Sequence, residues 1–185
     1  MKKAALPAFL LLFVFYVTNA QNNTEINNVP VKSYTYAPTS HKLKRSLKIR
    51  AGVYYNENKW KILLPEKGED TEFKFSHVKG NGYAMFISDK SSIPMEHLRT
   101  IAIDNAKSES EAFTLDKEEY RIVNGIKLLC LQISVKMQGT SYVYLGYYYS
   151  GDDGVAQFLT YTSKTLFKDY KDDFEELLNG FIKLK

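Results

Sequence analysis

The sequence predicts an α+β fold, an antiparallel β-sheet of about seven to nine strands covered by helices on both faces as an α-β-α sandwich. Two observations predict it. Short apolar runs parted by Gly, Asn and Asp recur along the chain, which is the punctuation of hairpins. The run Ile126 to Met137 is apolar at odd and even positions alike, with Ile126, Leu128 and Cys130 on one side and Leu129, Leu131, Ile133, Val135 and Met137 on the other. A strand that is apolar on both faces is covered on both faces, and two helical segments are available as covers. The length of 185 residues, with 44% hydrophobic and 25% charged side chains, supplies one packed core and excludes a multi-domain machine.

The chain opens on Met1, Lys2 and Lys3, then an apolar stretch from Ala4 to Val17, then Thr18-Asn19-Ala20. A basic start, a short apolar run and small residues two apart describe an export signal cleaved after Ala20. The run is shorter than a membrane span needs, so no stable span is expected after cleavage. Residues 21–46 follow as a flexible polar and basic lead, rich in Asn, Thr and Ser with Pro30 and Pro38, and residues 47–185 form the single domain. The protein is thus expected to be exported, periplasmic or secreted, and the Lys-Lys start looks bacterial.

Charge is unevenly placed. Lys42, Lys44, Arg45, Lys48 and Arg50 fall within ten residues without an acid, whereas residues 51–185 hold 17 basic and 20 acidic residues. Such an arm suits an anionic partner or a solvated edge strand whose positive charge discourages strand addition. No aromatic residues interleave the basic ones as nucleic-acid stacking requires, so no nucleic-acid partner is expected.

Within the domain, strands are expected at Ala51 to Tyr55, Trp60 to Leu64, Thr71 to Ser76 and Tyr83 to Ser88. A helix follows from Pro94 to Ala106, with Ser92 as its cap and Pro94 in the first turn, where a missing amide hydrogen does no harm. Glu119 to Val123 joins Ile126 to Met137 through Asn124-Gly125, the dipeptide best fitted to a two-residue hairpin turn. Ser141 to Tyr149 and Val155 to Thr162 extend the sheet, with Gly151-Asp-Asp-Gly154 read as their turn. A closing helix from Lys164 to Leu184 sets Phe167, Tyr170, Phe174, Leu177, Leu178 and Phe181 on one face.

This order of elements behind an export signal resembles the PsbP-like group, which includes thylakoid-lumen photosystem subunits and bacterial periplasmic DcrB-type proteins. The residues that carry the resemblance are Trp60, Arg121-Ile-Val-Asn-Gly125 opening a long apolar strand, Tyr147-Tyr-Tyr149 before the Gly-Asp-Asp-Gly turn, and Phe174-Glu-Glu-Leu-Leu-Asn-Gly-Phe181. It spans about residues 50 to 183, and it implies an accessory or binding module without catalytic activity.

Chemistry-bearing motifs are sparse. Cys130 lies among apolar residues and reads as a small buried hydrophobe, without the electropositive setting of a nucleophile. His41, His77 and His97 have no ligand at metal spacing, so neither metal nor cofactor is expected. The tyrosines are the remaining candidates: Tyr142, Tyr144 and Tyr148 alternate onto one strand face, with Tyr147 and Tyr149 on the other, and such a row can stack on a sugar or a peptide. Two functional readings follow. One is an exported non-catalytic accessory or binding module with a cell-envelope protein or glycan as partner. The other is a small exported hydrolase or carbohydrate-binding protein that uses a Tyr-lined cleft.

Overall fold

The computed structural model describes residues 31–34 and 41–185. The expected signal at 1–20 and much of the lead segment lie outside the described residues. In chain order the elements are β1 (Val31–Tyr34), β2 (Lys42–Arg45), β3 (Ala51–Tyr55), β4 (Trp60–Leu63), β5 (Thr71–His77), β6 (Tyr83–Asp89), α1 (Met95–Ser108), β7 (Ala112–Val123), β8 (Ile126–Met137), β9 (Thr140–Gly151), β10 (Gly154–Ser163), α2 (Phe167–Leu178) and β11 (Phe181–Lys183). Eight strands make one sheet in the order β1-β7-β8-β9-β10-β6-β5-β4, and β11-β3-β2 make a second, smaller one. All pairs are antiparallel except β1 with β7.

Local chemistry explains the long central strands. Asn124 and Gly125 take φ values of 51° and 81°, as the mirror-image turn of a two-residue hairpin requires, and Gln138 and Gly139 repeat the device at 49° and 76°. Hairpins this tight fix register, and register decides which side chains face which core.

Both faces of β8 are covered. On one face, α1 lays Leu98, Ala102 and Ile103 over Leu129, Leu131, Ile133 and Val135. On the other, α2 packs Phe174, Leu177 and Leu178 into an aromatic core with Trp60, Phe73, Phe75, Phe86, Tyr147 and Phe158. The small sheet shares this second face, contributing Val53 and Phe181.

The structure corrects the expected elements at several points. The C-terminal helix ends at Leu178, and Phe181–Lys183 is a strand paired with β3. The cause lies in Gly180, where a Cβ would stand 2.0 Å from the Tyr54 carbonyl oxygen, and where the Tyr54 N–H donates to the Gly180 carbonyl at 2.8 Å. Only a residue without a side chain lets the chain pass that close. Ser92 does not cap α1; Pro94 takes the cap position without a side-chain bond. β7 starts at Ala112, seven residues before the expected Glu119, because its outer half meets β8 across the whole length of that strand. Two stretches of the expected lead, Val31–Tyr34 and Lys42–Arg45, are strands, since each finds a free sheet edge.

Candidate functional site

β9 presents Tyr142, Tyr144 and Tyr148 to the α1 face, and Tyr147 and Tyr149 to the α2 face. Tyr144 and Tyr148 are buried, Tyr142 half-buried. The row that forms is not the expected one along β9. It runs across strands: Tyr161 of β10 is in register with Tyr144 of β9 and Tyr83 of β6, its ring 5.3 Å and 5.5 Å from theirs, both pairs stacked. α1 packs mainly over β7, β8 and β9. Tyr83 on β6 and Tyr161 on β10 lie beyond the strands it mainly covers, and both, like Tyr142 on β9, are half-buried. Sequence reasoning missed Tyr83 and Tyr161 because the signal lies in cross-strand register, which alternation within one strand does not carry.

Tyr144 and Tyr148 line a cavity of about 30 Å³ with Ala102, Ala106, Ile133, Gln157 and Leu159. Its size takes a water molecule rather than a sugar ring. Gln157 is buried there, its Nε2 without a protein partner. Burial raises the hydroxyl pKa of Tyr144, Tyr148 and Tyr161, so all three stay protonated and donate rather than ionise.

The opposite face holds two ionic clusters. Arg121, 1% exposed, donates from Nε to Glu119 Oε1 at 2.6 Å, from Nη1 to the Tyr147 hydroxyl at 2.7 Å and from Nη2 to Glu175 Oε1 at 3.3 Å. Its guanidinium lies between the rings of Tyr34 and Tyr147, at 4.9 Å and 5.4 Å, and the Tyr147 hydroxyl donates onward to Asn179 Oδ1. Burial pushes the Glu119 carboxyl up, but hydrogen bonds from Lys117 and Arg121 bring it below the ordinary carboxylate range. In the second cluster Lys59 Nζ bridges Asp173 Oδ1 at 2.7 Å and Glu176 Oε2 at 2.5 Å. His77, buried between the rings of Trp60 and Tyr170, sets Nε2 3.1 Å from Asp173 Oδ2, while its Nδ1 accepts the Lys79 N–H at 3.2 Å. That acceptor role fixes a neutral imidazole with the proton on Nε2. Burial lowers the His77 pKa, and the Asp173 charge only partly offsets it.

Cys130 is fully buried and its thiol pKa is pushed up to about 12 by burial, against the charge of Arg121. The basic arm is tied down. Lys42 pairs with Glu57, Lys44 lies 5.6 Å over the Phe73 ring, Lys48 Nζ donates to the Ser88 carbonyl, and the Arg50 N–H donates to Asp153. Asp153, read from sequence as part of a turn, also accepts the Tyr149 hydroxyl at 2.8 Å and so joins the β9–β10 turn to the small sheet.

This topology has known counterparts. The solution structure of cyanobacterial PsbP (CyanoP) from Synechocystis matches with a TM-score of 0.55 at 13% identity, over 78% of this chain and 92% of that one. The fold is PsbP-like. The Ran-binding protein Mog1p of Saccharomyces cerevisiae shares it at a TM-score of 0.54 and 6% identity, over 78% and 96% of the two chains. So does LpqN, involved in cell envelope biogenesis of Mycobacterium tuberculosis, at 0.52 and 11% identity over 73% and 83%. No family model matches the sequence, and no curated protein does.

On this PsbP-like frame the ionised groups of the α2 face serve the fold. Glu119 and Glu175 share Arg121, and Asp173 and Glu176 share Lys59. Glu119 and Asp173, held below the ordinary carboxylate range, are poor general acids, which need a raised pKa. Among the described residues, no group of three or more His, Cys, Asp or Glu is arranged to hold a metal ion, and no helix is long and apolar enough to cross a membrane.

Proposed function

We propose that the chain is an exported, non-catalytic accessory module of the cell envelope that holds a protein or glycan partner against Tyr83 and Tyr161, the half-buried members of the stacked row Tyr83, Tyr161 and Tyr144. The observation that carries this reading is the row itself. The rings of Tyr83, Tyr161 and Tyr144 stack across β6, β10 and β9 at 5.5 Å and 5.3 Å, and while Tyr144 is buried, Tyr83 and Tyr161 are only half-buried. Stacked tyrosines offer rigid flat area with a hydroxyl at the rim, which suits the apolar face of a sugar or an extended peptide. The PsbP-like fold supports it as well, since LpqN is involved in cell envelope biogenesis and Mog1p binds Ran. The hydrolase reading draws no support from the α2 face, where each carboxylate pair is committed to a cation.

The test is binding of the purified protein to envelope glycan fragments by calorimetry, with Tyr83→Ala and Tyr161→Ala compared with the parent. Losing one stacking ring should weaken binding by up to about tenfold, with the thermal midpoint as a check on folding. Binding that is unchanged in both variants, or a glycan-cleaving activity in the parent protein, overturns the reading.

A further inference from the structure

The outer strand of the large sheet, β4, leaves three successive apolar residues exposed, Ile62 at 36% and Leu63 at 41% within it and Leu64 at 87% just past its end. Edge strands are ordinarily defended by charge, brevity or distortion. Among the described residues the other edges follow that rule. β2 carries Lys42, Lys44 and Arg45; β1 is four residues long with Lys32 exposed; β11 has three residues; and the part of β7 that β1 leaves open is bent by an irregularity between Leu115 and Lys117. β4 has only Lys61.

The backbone says which groups this edge offers. The Val78 N–H donates to the Lys59 carbonyl at 2.8 Å, and Trp60 lies opposite His77. Bonded and non-bonded pairs alternate along an antiparallel ladder, so Lys61 and Leu63 bond to β5 while the N–H and C=O of Ile62, and by continuation of Leu64, point away from it. The Trp60 N–H is taken by the Asn56 carbonyl at 2.9 Å, and Pro65 has no N–H. The free N–H groups are thus confined to Ile62 and Leu64, placed evenly about Leu63, and the Trp60 carbonyl, which also points outward, lies beyond them.

We propose that two copies of this chain pair edge to edge through β4, antiparallel about a two-fold axis at Leu63, so that the two eight-stranded sheets continue as one. In this register Ile62 of each copy faces Leu64 of the other, and every free N–H of the pair meets a free C=O. Leu63 meets its own counterpart on one face, while Ile62 and Leu64 meet on the other, where they extend the apolar surface beside Trp60. Charge is complementary too. The amino-terminal end of β4 carries Lys61, with Lys79 in the adjoining turn, and its carboxyl end runs into Glu66, Glu69 and Asp70, where Lys67 intervenes and Lys74 of β5 pairs with Glu69. Antiparallel pairing sets the basic end of one copy beside the acidic end of the other on both sides of the axis. A two-fold pairing of this kind is closed, so it stops at two copies.

The test is sedimentation of the protein isolated after expression of the full chain, across a concentration series. The parent should sediment as a dimer. The double change I62K/L64K sets like charges opposite each other and should give a monomer, whereas I62K/L64E sets opposite charges there and should keep the dimer. L64P removes an outward N–H that β5 does not use, and should also give a monomer while its circular dichroism matches the parent. A parent that is monomeric at every concentration overturns the proposal, including one that instead takes up a foreign extended peptide. So does a dimer that survives both I62K/L64K and L64P.

Discussion

Arg121 is the most deeply buried charge described, and its surroundings show why it stays ionised. Glu119 is 3% exposed at its side chain, lies beside it and has Arg121 and Lys117 as hydrogen-bonding partners, with Lys32 3.5 Å away. Removing the guanidinium strands a buried carboxylate, so Arg121→Met should cost about 3–5 kcal/mol of stability. The urea midpoint measures it, and adding Glu119→Gln should recover part of the loss. His77 makes the opposite kind of statement. Its folded pKa lies below the ordinary imidazole value, so the unfolded chain takes up the proton first as pH falls. Its contribution is complete above about pH 6.5 and is lost as pH drops through the depressed folded value. The groups facing it are Asp173, Lys59 and Lys79 with the Tyr170 ring, and Asp173 is itself held ionised, chiefly by Lys59 against the effect of burial. Between pH 7.5 and 5.5 the thermal midpoint of the parent should fall more than that of His77→Gln; equal slopes would rule out His77 as the cause.

At the scale of elements, the boundary between α2 and β11 rests on one glycine. Gly180→Ala drives a methyl group into the Tyr54 carbonyl and should destabilise by about 1–3 kcal/mol, read as a lower denaturation midpoint. Most elements were legible in the sequence, because Asn124-Gly125, the two-sided apolar pattern of Ile126 to Met137 and the helical spacing in 94–106 are local signals. The strand at Phe181 was not, since an apolar residue after Leu177 and Leu178 continues a helical stripe as readily as it begins a strand, and the contact that decides is with Tyr54. The small sheet was illegible for the same reason: β3 looks like any short strand until its partners, one near the start and one beyond α2, are known. The site behaves likewise. Alternation puts Tyr142, Tyr144 and Tyr148 on one common face without saying which, yet the stacking partners Tyr161 and Tyr83 belong to other strands, and His77 meets Asp173 from a distance in sequence that no spacing rule spans.

For the whole molecule, the large sheet acts as a partition. The α1 core and the α2 core touch only through its backbone, and Cys130 lies on the α2 side under the Glu119 row, in register with Glu119 and Tyr147. A thiol fully buried and raised to about 12 reacts only when the structure opens. Labelling of Cys130 by a thiol reagent should therefore be negligible in the native state, and should proceed at the global opening rate when measured beside urea-induced unfolding. Fast labelling under native conditions would mean that the α2 layer detaches on its own.

The pairing of residues 51–53 with 181–183 also sets a schedule. A ribosome releases β3 long before β11 exists, and β1 must wait in the same way for residues 120–123 of β7. Non-local pairings of this sort fold slowly, because loop closure precedes any gain from the contacts it brings together. The nascent chain therefore spends most of its synthesis with both layers unfinished and its early strands unclaimed. That is the condition in which a translocation machine can still thread a polypeptide, or a chaperone can hold one.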